Sequence, residues 1–94
     1  MALARVVEFE GVSQERADEM KAQMQGGTPP EGVPPMEFVW LHDPDSEKSV
    51  VIQIFDSEED YQRGEAMLEA MPAEDTPGRR TSVTKYDVAH RQSV

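Results

Sequence analysis

The segment at 48–55, KSVVIQIF, constrains the fold more than any other stretch of the chain. Side chains alternate between the two faces of a strand, so Val50, Ile52 and Ile54 fall on one side and Val51 and Phe55 on the other. A strand that is apolar on both faces belongs in the interior of a sheet, covered on each side. The preceding segment at 36–43, MEFVWLHD, also alternates and also carries apolar groups on both faces. The intervening PDSE at 44–47 is turn chemistry, which makes the pair a hairpin.

The remaining elements follow from periodicity and punctuation. LARVVEFE at 3–10 alternates, with Leu3, Val7 and Phe9 on one face and Ala4 and Val6 on the other, and reads as a first strand. Gly11 breaks it, Ser13 is suited to cap a helix, and Val12 stands where a hydrophobic staple would pack. Ala17, Met20 and Met24 then recur at helical spacing up to Gly26 and Gly27. GGTPPEGVPP at 26–35 holds four prolines and three glycines and must be an irregular loop, either a pocket rim or a spacer. Ser57 caps a second helix whose buried stripe is Tyr61, Gly64, Met67, Leu68 and Met71, and Pro72 ends it. TPG at 76–78 makes a turn into a last strand, RRTSVTKYDVAH at 79–90. The order β-α-β-β-α-β is the split βαβ pattern of a ferredoxin-like α+β fold with a four-stranded antiparallel sheet.

Ninety-four residues make one domain, spanning 1–94. A chain of this length buries only about 60–65% of its unfolded surface. Both helices cover one face of a ferredoxin-like sheet, so the apolar residues on the other face require a partner surface. A two-fold homodimer meets that need most simply. The net charge of -10 and a pI near 4.5 argue against nucleic acid and anionic membrane surfaces as partners. The absence of cysteine excludes disulfides, thiolate metal sites and thiol nucleophiles. The apolar run at the N-terminus is broken by Arg5 and Glu8, unlike a signal peptide, and no segment has the apolar length of a membrane span. A cytoplasmic location is the expectation.

The element order, the strand-cap-helix passage VVIQIFDSEEDYQRGEAMLEAM and the terminal strand GRRTSVTKYDV together resemble the dimeric α+β barrel superfamily. Within it they resemble the antibiotic-biosynthesis-monooxygenase-like domains, over nearly the whole chain. That resemblance implies a homodimer with a small apolar or aromatic ligand between sheet and helices. It also implies cofactor-independent oxygenation of a phenolic or quinol substrate, with Asn, Trp, Tyr, His or Arg side chains orienting a substrate anion. The haem-degrading branch of the superfamily uses Asn, Trp and His. This chain has no asparagine, so that mechanism does not carry over. Non-catalytic ligand-binding or regulatory dimers share the same barrel and are the alternative.

Candidate site residues lie on two strands and the second helix. Trp40 and His42 share a face with Met36 and Phe38, which offers an aromatic wall and an imidazole able to act as acid or base. The alternative is that Trp40 fills core and His42 sits in solvent. On the last strand, alternation puts Tyr86 and His90 on one face with Arg80 and Ser82. Tyr86 is suited to donate to a phenolate and Arg80 to hold an anion, the alternative being a solvated edge strand. The expectation is therefore His42, Tyr86 and Arg80 as catalytic groups, and Phe38, Trp40 and Met67 as substrate contacts. HDPDSE at 42–47 imitates the start of a calcium loop, but Lys48 replaces the required glycine and Ile54 the closing glutamate. Neither a metal nor a cofactor is expected.

Overall fold

The computed structural model describes residues 2–26, 34–70 and 77–93 of the chain. Six elements follow one another: β1 (Leu3–Glu10), α1 (Gln14–Gly26), β2 (Met36–Asp43), β3 (Lys48–Phe55), α2 (Glu58–Glu69) and β4 (Arg79–Asp87). The strands form one antiparallel sheet in the order β2-β3-β1-β4, a ferredoxin-like α+β fold. The apolar β1 and β3 take the two central places, whereas β2, which also carries apolar residues on both faces, lies at the edge.

Local chemistry fixes the element boundaries. The Ser13 hydroxyl accepts from the Arg16 amide at 3.1 Å and caps α1. Val12, fully buried, packs in one cluster with Ala17 and so staples the entry to that helix. Gly11 adopts φ 69°, the left-handed conformation that glycine takes without penalty. Ser57 caps α2 through the Asp60 amide, and Glu58, Glu59 and Asp60 occupy the positive end of the helix. At the β2–β3 turn the Asp43 carboxylate accepts from the Asp45 amide and the Ser46 hydroxyl. These bonds hold its pKa below the usual range. The carboxylate expected to mimic a calcium ligand is thus engaged in the turn itself.

Residues paired directly across antiparallel strands share a face, so the register lays out the helix-facing side as four rows. Met36, Phe55, Leu3 and Asp87 form one row; Phe38, Gln53, Arg5 and Lys85 form the next. Trp40, Val51, Val7 and Val83 form the third, and His42, Ser49, Phe9 and Arg80 the fourth. The second row puts a charged residue and an amide in the middle of the sheet, where both are buried. They separate two apolar clusters, Val7–Phe9–Val12–Ala17–Val51 on one side and Leu3–Phe55–Tyr61 on the other. In the second cluster the Phe55 and Tyr61 rings meet edge to face at 5.5 Å.

The last strand departs from simple alternation. Glu8 pairs with Ser82 but Phe9 pairs with Arg80, which leaves Thr81 as an extra residue in β4. This bulge turns Arg80 onto the helix-facing side, while Tyr86 stays on the opposite side beside Ala4. The expectation that Arg80 and Tyr86 share a face is therefore corrected, because alternation counts residues and a bulge changes the count. The strand also ends at Asp87, short of the expected residue 90, where β1 runs out of partners; a last backbone bond joins the Val88 amide to the Ala2 carbonyl. His90 lies beyond it, exposed, within 2.9 Å of Gln92.

The loop expected to rim the pocket, apart from its ends, lies outside the described residues, as do Gly27, Met71, Pro72 and Thr76. Among the described residues no helix is long and apolar enough to cross a membrane.

Candidate functional site

α1 packs closely on the sheet only near its start. Ala17 is buried, Met20 half-buried and Met24 exposed, so the second half of the helix stands off and a cavity of about 370 Å³ opens beneath it. Arg5, Gln53 and Val7 line it from the sheet, Phe38 and Trp40 from β2, and Leu68 from α2. Pro77 and Arg80 complete the side toward β4.

The polar groups of this cavity form a chain of charge. Arg5 donates from Nη1 to Gln53 Oε1 at 3.3 Å and from Nη2 to Glu69 Oε1 at 2.7 Å. Arg80 donates from Nη1 to the same Glu69 oxygen at 2.8 Å. Arg80 and then Arg5 hold the Glu69 carboxyl below the usual carboxylate range. The Arg5 side chain is only 4% exposed, whereas that of Glu69 is 44% exposed. The Nε–H of Arg5 and the Nε1–H of Trp40 are buried without an acceptor among the described residues. A buried donor left unpaired costs about 1–3 kcal/mol, so both favour a ligand that brings an acceptor.

A second hollow of about 370 Å³ adjoins the first and shares Met24, Phe38 and Trp40 with it. His42 lines this second space, facing Gln14, Asp18 and Lys21 of α1. Its Nδ1 lies 2.7 Å from the Ser49 hydroxyl, and its Nε2 is buried without a partner among the described residues. Ser49 is 1% exposed, so this pair orients the imidazole and does not present a nucleophile.

The expected site residues thus divide. Phe38, Trp40 and Arg80 come together in the main cavity, and His42 reaches the adjoining hollow. Met67 is half-buried on α2 but the cavity is lined by its neighbour Leu68. Tyr86 is 54% exposed on the far side of the sheet, away from both hollows. Arg5 and Gln53 carry the site's most buried polar atoms and were not among the expected residues. The available signal was an arginine at an inward position of an otherwise apolar strand, in register with Leu3, Val7 and Phe9.

No family model matches this chain, and none of the curated proteins matches it.

Proposed function

We propose that the chain binds a small apolar or aromatic molecule between sheet and helices and works as a homodimer of the dimeric α+β barrel type. The observation that carries this reading is the cavity under α1, with an aromatic wall from β2 and a few polar groups on its floor. Its size and make-up are those of ligand sites, which combine apolar lining with sparse, placed polar groups. The dimer is supported by the sheet face away from the helices. There Val6, Ile52 and Val39 lie in one row across three strands, with Val50 and Leu41 in the next. Leu41 is 53% exposed and Val39 is exposed beside it. Closing a second sheet over this face would remove that apolar surface from water.

The catalytic form of the proposal is a cofactor-independent monooxygenase of the antibiotic-biosynthesis-monooxygenase-like kind. The guanidiniums would stabilise a phenolate, and the Nε2 of His42, without a partner among the described residues, would take its proton. The substrate would supply the electrons to dioxygen, one oxygen atom ending in a quinone carbonyl and the other in water. A non-catalytic ligand-binding dimer is the second reading. It is favoured by the separation of His42 from both arginines into different hollows. Oxygen uptake with an anthrone-type phenol decides between them. Uptake above the buffer rate that His42→Ala abolishes supports the oxygenase, and uptake equal to buffer leaves the binding protein.

A further inference from the structure

The charge inside the cavity runs against the charge of the chain. The protein has 19 acidic and 9 basic residues, yet the described cavity lining contains Arg5 and Arg80 and no carboxylate. Their counter-ion, Glu69, is the last residue of α2 and satisfies both guanidiniums through one oxygen, 2.7 Å from Arg5 and 2.8 Å from Arg80. Among the described residues, two cations against one anion leave a net positive unit. The Nε–H of the more buried cation has no acceptor among the described residues.

From this arrangement we infer that the cavity selects a flat apolar carboxylate, seated on Arg5 and Arg80, and that Glu69 sets the strength of that selection by competing for the same two guanidiniums. The inference rests on the cavity under α1 being the ligand site. A carboxylate matches the forked donor geometry of guanidinium, and charge-assisted bonds are shorter and stronger than neutral ones. Phe38 and Trp40 supply the surface for the apolar body. Gln53, by accepting from Arg5 Nη1, fixes the guanidinium without neutralising it. The acidic exterior does not prevent entry, since exposed charges more than about 10 Å away are largely screened at ordinary ionic strength.

Calorimetric titration with 2-naphthoate and with its neutral isostere 2-naphthamide tests the assignment. The wild-type protein is expected to bind naphthoate on the order of tenfold more tightly than naphthamide, as one charged hydrogen bond contributes. Glu69→Gln removes the competing charge at a half-exposed position, and tightens naphthoate about threefold or more while leaving naphthamide unchanged. Arg5→Met and Arg80→Gln erase the preference for the anion. Arg80 and Glu69 both lie near the surface, so those two variants keep the test decisive even if Arg5→Met fails to fold. Equal binding of both compounds, or a naphthoate affinity that Glu69→Gln and Arg80→Gln leave unmoved, overturns the charge selection while the cavity remains a ligand site. Binding of neither compound to the wild-type protein overturns both.

Discussion

Arg5 Nη2 and Glu69 Oε1 lie 2.7 Å apart, joining the middle of β1 to the last residue of α2 across 64 positions of sequence. A buried guanidinium is tolerable only where charge and hydrogen bonds compensate it. Glu69 supplies the charge, Gln53 supplies the second acceptor, and Arg80 shares the carboxylate from the far edge of the sheet. These contacts thus hold α2 against the sheet, and Arg5, Gln53 and Arg80 among them also line the cavity.

This link makes the fold sensitive to acid. The Glu69 pKa is depressed from its ordinary 4.5, so the carboxylate stabilises the folded state above that value and the contribution is lost as the pH falls through the depressed one. Urea midpoints measured between about pH 6 and pH 3 should fall less steeply for Glu69→Gln than for the wild type. Parallel curves for the two proteins would show that the Arg5–Glu69–Arg80 link contributes nothing to stability.

Gly64 in α2 faces the Phe55 ring, and a Cβ there would stand 2.6 Å from Phe55 Cζ. Alanine is favoured over glycine within a helix by about 1 kcal/mol. Overpacking a filled core costs about 1–3 kcal/mol, and Phe55 is completely buried. The steric term wins, and Gly64→Ala should lower the stability measured by chemical denaturation. An increase would mean that the Phe55–Tyr61 pair can shift.

The homodimer proposal assigns Leu41 to the subunit interface. Its exposure in the single chain means that Leu41→Lys leaves the fold of that chain intact. The variant should weaken self-association at least about tenfold, or roughly 1.4 kcal/mol, by sedimentation equilibrium. A wild-type protein that sediments as a monomer at micromolar concentration would defeat the proposal outright.

Burial, with a smaller effect from Glu65, pushes the Tyr61 phenol up from 10.0 to about 12. Because the folded state resists ionisation of this group, its contribution to stability is complete below the unfolded value of 10.0. It declines as the pH rises from there toward 12. Tyr61→Phe keeps the edge-to-face contact with Phe55 and should flatten the alkaline decline in melting temperature. An unchanged alkaline decline would assign the effect to another group.

The sequence by itself determined the six elements, their order and the central place of β3. Those follow from short-range regularities: period two at Val50–Phe55, helical spacing at Ala17 and Met20, and caps at Ser13 and Ser57. Phe38 and Trp40 were legible as a wall for the same reason, since neighbours two apart on a regular strand share a face. Tertiary structure alone decided the rest of the site. The extra residue Thr81 carried Arg80 to the cavity and left Tyr86 behind, and nothing in RRTSVTKYD marks where a bulge will fall. Arg5 met Gln53 and Glu69 only because strand pairing and the docking of α2 brought together groups 48 and 64 residues apart. Side-chain periodicity is a property of each element, whereas the charge inside the cavity arises from how separate elements are packed.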